Sequence, residues 1–190
     1  MKYIKYVLVA LVLLFLFFIL LGVFKPTVNY SNEILVNKSF TECWLVSQDE
    51  EKMSEWLEGF IRMEHVSGTP GEVGAVSDVY FDNNGQEMTI RETITKIVPN
   101  ESISMNFASD FMDMDYQISM EPEGDQTKIS SSTSAKGNGM ISKSIMALIS
   151  GSLVAQEETN LANLKKTIEN NTKNYSTEEV VDEELEEVSQ

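Results

Sequence analysis

From Tyr6 to Phe24 the chain carries no charged side chain and is almost wholly Leu, Val, Phe and Ile. With Ile4 and Lys5 this makes about 21 residues, or roughly 30 Å of helix, which matches the hydrocarbon thickness of a bilayer. A cleaved signal peptide has a shorter apolar region, about 7–15 residues, and ends in a small-x-small site. Here the run ends Gly22-Val23-Phe24-Lys25-Pro26, without that pattern. Residues 1–25 therefore read as an uncleaved single-pass transmembrane anchor. Lys2 and Lys5 precede the span and Lys25 follows it. The positive-inside rule then places the N-terminus in the cytoplasm and the rest on the outer side, periplasmic or extracellular.

The remaining chain divides in two. Residues 26–172 have the size of one ordinary domain with a real core. Residues 173–190 are acid-rich, most densely from Glu178 to Glu187, and read as a solvated, disordered tail. The net charge is −16 and the 14 basic residues are scattered. A phosphate backbone wants a basic stripe, so nucleic acid is not a partner. Cys43 is the single cysteine. No intrachain disulfide or CxxC motif can form, and Cys43 reads as a small buried apolar residue.

Within the domain, the parity of Val28, Tyr30, Ile34 and Val36 predicts a strand over 29–36. Ser39 is placed to cap a helix over 40–46, with Glu42 as the capping-box acid. A second short helix, 50–57, carries Met53, Trp56 and Leu57 at helical spacing. The period then becomes two. Strands are predicted over 61–66, 73–81, 87–97, 102–108, 113–121 and 126–135, separated by turn clusters such as Asp82-Asn83-Asn84-Gly85 and Pro122-Glu123-Gly124-Asp125. The last strand alternates Ile129 with Ser and Thr, so one of its faces is polar. Residues 141–172 read as a long helix with an apolar stripe through Ile141, Ile145, Leu148, Ile149, Leu153, Leu161, Leu164 and Ile168. The fold class is α+β: a curved antiparallel sheet of about seven strands around a long C-terminal helix.

That order of elements, and several local motifs, resemble the START-like superfamily (SRPBCC), which includes the Bet v 1-like and polyketide cyclase/dehydrase groups. The motifs are Phe40-Thr41-Glu42-Cys43-Trp44, Met53-Ser54-Glu55-Trp56-Leu57-Glu58-Gly59, Ser67-Gly68-Thr69-Pro70-Gly71-Glu72-Val73-Gly74, the strand-turn unit from Glu92 to Glu101, and Leu161-Ala162-Asn163-Leu164-Lys165-Lys166. One departure is Asn37-Lys38-Ser39, where many members enter the first helix with a proline. The resemblance implies a helix-grip fold with a cavity between sheet and helix. It does not imply one activity, because enzymes, lipid carriers and chaperone cofactors share the scaffold.

The expected lining follows from strand parity. Met63 comes from the second strand; Met88, Ile90 and Glu92 from the fourth; Met105 and Phe107 from the fifth. Met114, Tyr116, Ile118 and Met120 come from the sixth, Ile145 and Ile149 from the long helix, and Trp56 from the second short helix. Unbranched thioethers, five of them on strands, either fill an irregular core or give a pliable wall for an apolar ligand. Glu92 shares the parity of Met88 and Ile90. A carboxylate there needs a partner, such as Arg62, a tyrosine or a ligand head group, unless it is an edge-exposed acid. His65, the only histidine, reads as a surface residue, and Asp110, Asp113 and Asp115 as a solvated turn with too few ligands in a fixed loop for calcium. No catalytic residue, cofactor or metal is expected.

These observations point to a membrane-tethered binding module for a lipid or other small hydrophobic ligand. Two alternatives stand beside it. One is an enzyme of polyketide cyclase/dehydrase type in the same cavity; the other is a protein-interaction domain with a filled core, whose partner the sequence does not name.

Overall fold

A computed structural model describes residues 2–83 and 85–175; residues 176–190, most of the expected tail, lie outside them. The apolar run forms helix α1 (Lys2–Phe24). It is followed by β1 (Thr27–Val36), α2 (Phe40–Gln48), a single 3-10 turn (Glu50–Lys52) and α3 (Met53–Trp56). Then come β2 (Phe60–Ser67), β3 (Val76–Asn83), β4 (Gln86–Val98), β5 (Ser102–Ala108), β6 (Met112–Glu123), β7 (Gln126–Gly137) and α4 (Met140–Glu169).

The seven strands form one antiparallel sheet in the order β1-β7-β6-β5-β4-β3-β2. Strands β2 to β7 are a meander, joined by short turns except for the eight-residue connection 68–75 between β2 and β3. Strand β1 pairs with β7 at the far edge, so α2 and α3 must carry the chain across the whole sheet to β2. The turn at Gly68 has φ +83°, and a Cβ there would meet the Ala75 backbone at 2.8 Å, so this turn needs glycine. A register shift between Ile94 and Lys96 in β4 absorbs one residue. It turns Ile97 onto the face of Ile94, which strict alternation would not do.

Local details differ from expectation. Strand β3 starts at Val76, and residues 73–75 of the expected strand belong to the turn before it. Ser39 Oγ accepts from the Glu42 amide at 3.3 Å, but the Glu42 carboxylate accepts from Lys38 Nζ at 2.8 Å and does not close the capping box. The expected second helix splits, because the Asp49 side chain accepts from the Glu51 amide and starts a tight 3-10 turn before α3. Helix α4 runs unbroken through Gly151, but its stripe changes sides. Leu161, Leu164 and Ile168 are fully buried, whereas Ile141, Leu148 and Ile149 are exposed.

The core lies between one sheet face, α2 and the C-terminal half of α4. It contains Val36, Cys43, Val46, Ile103, Ile118, Met120, Ile129, Leu161, Leu164 and Ile168. Each large aliphatic side chain there contributes on the order of 1.5–3 kcal/mol by leaving water. A smaller cluster of Val28, Ala135 and Met146 continues it toward the start of β1.

Candidate functional site

Strand register assembles the site row by row across the inner face of the sheet. Tyr30, Thr133, Tyr116, Met105 and Ile94 form one row from β1 to β4. The next row is Val28, Ala135, Met114, Phe107, Glu92, Ser77 and His65. Ile90, Val79 and Met63 follow. On the other side, Asn32, Ser131, Ile118, Ile103 and Ile97 lead into the core.

Within the sheet, helix α4 packs on β1 and β7. It is tied to the α3–β2 turn, where Asn160 Oδ1 accepts from the Glu58 amide at 3.2 Å and Gln156 Nε2 donates to Glu58 at 2.9 Å. The inner faces of β4 to β6 are therefore only partly covered. Met105, Phe107, Met114 and Tyr116 are half-buried, and the Phe107 and Tyr116 rings meet edge to face at 6.2 Å. Met63, Ile90 and Trp56 are also half-buried, and Trp56 packs against the core. Ile118 and Met120 are buried in that core. Met88 lies beyond the last residue of β5 and is exposed, as is Ile149; Ile145 is half-buried. The trough is thus bounded by Ile90, Ile94, Met105, Phe107, Met114 and Tyr116. A separate groove of about 500 Å³ opens at the outer edge of β1, between Glu33, Leu35, Lys128 and Lys165; it includes none of these trough residues.

Two polar features mark the trough. Glu92 faces it, half-buried between Phe107 and Ser77, without a hydrogen bond or ion pair among the described residues. Burial, then the nearby Glu50 charge, pushes its carboxyl up to about 7. Arg62 is not its partner. Arg62 lies on the opposite face of the sheet, 3.6 Å above the Tyr80 ring, and donates to Glu64 and Glu87 at 2.8 and 2.7 Å. The parity of β2 accounts for this, since Met63 faces inward and Arg62 outward. No tyrosine meets Glu92 either, because Tyr116 is bonded to Glu157 of α4. His65 shares the Glu92 row at one remove, is exposed, and has Nε2 3.0 Å from the Gly68 carbonyl.

The second feature was not anticipated. Ser131 and Thr133 of β7 point inward and are buried beside the Tyr116 and Tyr30 hydroxyls. Neither forms a well-aligned hydrogen bond, and the side-chain nitrogens of Asn32 and Trp56 are buried without one as well. Burial raises the Tyr30 and Tyr116 hydroxyls above their ordinary range, so both stay protonated. Buried polar atoms are normally paired, so Ser131, Thr133, Asn32 and Trp56 bring spare hydrogen-bonding capacity into an apolar surround, with Thr133 and Ser131 within reach of the Tyr30 and Tyr116 hydroxyls. The signal was present in β7, whose Ser and Thr residues occupy both parities: Ser130, Ser132 and Ser134 face outward, Thr127, Ser131 and Thr133 inward.

The aspartates stand apart from the trough. Asn138 Nδ2 donates to Asp113 at 3.3 Å and Asn106 Nδ2 to Asp115 at 2.9 Å. Among the described residues no group of three or more His, Cys, Asp or Glu side chains converges as a metal site would require.

Residues 27–169 match the family model described as polyketide cyclase / dehydrase and lipid transport. Comparison with curated proteins gives no match. Solved structures share the fold. The crystal structure of Ara h 8.0201 is similar at 12% identity and TM-score 0.62, over 76% of this chain and 99% of that one. The di-domain ARO/CYC StfQ from the steffimycin biosynthetic pathway is similar at 13% identity and TM-score 0.61, over 76% of this chain and 51% of that one. TTHA0849 from Thermus thermophilus is similar at 15% identity and TM-score 0.61, over 74% of this chain and 96% of that one. At these identities the likeness is one of fold: the Bet v 1-like helix-grip.

Proposed function

Because this chain belongs to the polyketide cyclase / dehydrase and lipid transport family, we propose that it binds a lipid or another small hydrophobic molecule between sheet and α4, tethered to a membrane by α1. The observation that carries the reading is the half-buried apolar trough of β4 to β6 with its spare hydrogen-bonding capacity. A mostly apolar wall with a few polar anchors is the usual make-up of a small-molecule site. The apolar chain of the ligand would lie against Met105, Phe107 and Met114, and a hydrogen-bonding head group would meet Ser131, Thr133 and Tyr116. Among the described residues α1 is the one helix long and apolar enough to cross a membrane. We read it as an uncleaved anchor, with the domain of residues 26–172 on the outer side.

A second reading keeps one specific support. A carboxyl near pH 7 that faces a trough without a partner can act as a general acid or base. On that reading Glu92 would move a proton on a bound cyclisable substrate.

Native mass spectrometry of the full chain released from nanodiscs tests the first reading, together with uptake of a fluorescent fatty acid. The expected result is a co-purified apolar adduct and saturable uptake. Absence of both, with no protection of the trough from a soluble methionine oxidant by any lipid, overturns it. Turnover abolished by Glu92→Gln with uptake unchanged would select the second reading.

A further inference from the structure

Helix α4 begins with an apolar face that the domain does not use. Between Met140 and Gln156 its only charged side chain is Lys143. At 3.6 residues per turn, Ile141, Ile145, Leu148 and Ile149 share one face, while Met146 and Leu153 share the face that packs on Val28 and Ala135. Met140, Ile141 and Leu148 are 61%, 59% and 61% exposed. A face of this size left in water would cost the fold stability and solubility.

Its surroundings say what covers it. The last turns of α1 cross α4 beside this face. Gly22 is buried against Ser144, and a Cβ at Gly22 would come within 2.6 Å of the Ser144 amide nitrogen and Oγ. Only glycine lets the two backbones approach so closely. The crossing fixes the height of the α4 face relative to α1: Ile141 and Leu148 lie within about one turn of Ser144, at the level where the apolar run ends. A second element adds to the same end. Phe111, in the β5–β6 turn, is exposed, and its carbonyl accepts from the Asn138 amide just before α4 at 2.8 Å. Lys25, Lys136 and Lys143 flank this end, with Asp110 and Asp113 the neighbouring acids. The chain as a whole is at −16, so a stretch of helix free of acids from Met140 to Gln156 is a local departure.

We propose that the first half of α4, residues 140–149, lies in the headgroup–acyl boundary of the bilayer that α1 spans, with Phe111 beside it. Amphipathic helices bury about 5–10 Å into that boundary when an apolar face is paired with basic flanks. A second copy of the chain, held at the same height by its own α1, would have to displace lipid from this face to cover it. The inference rests on the reading of α1 as an anchor.

Site-directed spin labels on the full chain test it, in nanodiscs of phosphatidylcholine and phosphatidylglycerol holding one copy each. Single cysteines are introduced as Leu148→Cys, Ile141→Cys, Leu13→Cys and Ser132→Cys. Cys43 is fully buried, and the unsubstituted chain serves as the labelling blank. Labels at 141 and 148 should be several-fold more accessible to oxygen, relative to a water-soluble nickel reagent, than the label at 132 on the outer face of β7. If the label at 13 is in lipid while those at 141 and 148 match 132, the inference fails and the anchor stands. If the label at 13 is also in water, the anchor reading fails and the inference with it. Protection at 148 that appears only in discs with two copies assigns the face to a second chain and overturns the proposal.

Discussion

The Tyr116 hydroxyl on β6 donates to a Glu157 carboxylate oxygen on α4 at 3.0 Å. It is a side-chain bond between α4 and the middle of the sheet, made where the trough passes beneath the helix. Tyr116→Phe should cost about 1 kcal/mol by urea denaturation, the usual net worth of such a bond when water can reach the acceptor. Glu157→Gln keeps an acceptor and should cost less. Equal losses in the two variants would mean that the charge, and not the bond, holds the helix.

Glu92 makes stability depend on pH in a defined window. Its folded-state pKa of about 7 lies above the ordinary 4.5. Below pH 4.5 both states hold the proton and there is no penalty. Between 4.5 and 7 the unfolded chain releases it and the folded chain does not, so stability falls as pH rises. Above 7 the penalty is complete. Glu92→Gln should therefore match the unsubstituted chain at pH 4 and exceed it at pH 8 by up to about 3 kcal/mol. Equal stability at both pH values would show that water solvates this carboxylate.

Contacts of the domain extend beyond its expected end at residue 172. Lys173 Nζ lies 3.0 Å from Asp49, and the Tyr175 hydroxyl donates to the same carboxylate at 2.9 Å. Burial works against the Asp49 charge, but Lys173, Tyr175 and the Glu51 amide outweigh it and hold its pKa below 3.8. This contribution is present above pH 3.8 and is lost as pH falls through the lowered value. Deleting residues 173–190 should lower the urea midpoint by a small amount, as loss of a mostly exposed ion pair and one hydrogen bond does. Asp49→Asn in the shortened chain should recover part of that loss. An unchanged midpoint would place the domain boundary at 172 after all.

Met105 and Ile118 are neighbours on the same face but should respond differently to enlargement. Ile118 is buried in the core, so Ile118→Trp should destabilise by about 1–3 kcal/mol through overpacking. Met105 is half-buried beside Tyr116, so Met105→Trp should fill the trough, keep the fold and abolish fatty-acid uptake. Uptake that survives Met105→Trp would move the ligand away from this row.

The architecture was legible because its signals are local: alternation in each strand, turn residues between them, and helical spacing in α4. The inner faces of β5 and β6 followed from parity alone. What parity could not give was the consequence of tertiary placement. Arg62 is one of several partners that the sequence leaves open for Glu92; with β2 and β4 set in one sheet, the two fall on opposite faces. The stripe of α4 reads as continuous from Ile141 to Ile168, yet the sheet covers only its later part. The inward Ser131 and Thr133 were concealed because the outward residues of β7 are also serines, so polarity there carried no direction.

The pairing of β1 with β7 has a mechanical consequence. The chain enters the domain at Thr27, at one end of β1, and leaves it near Tyr175, which joins the core at the Val36 end. Ten consecutive residue pairs, Thr27↔Lys136 to Val36↔Thr127, lie between those two points of attachment. Tension applied between the two chain ends runs along the strand axis, so the ladder is loaded in shear and its bonds share the force instead of opening one at a time. Under such a pull the strand that continues α1 is among the last elements to detach.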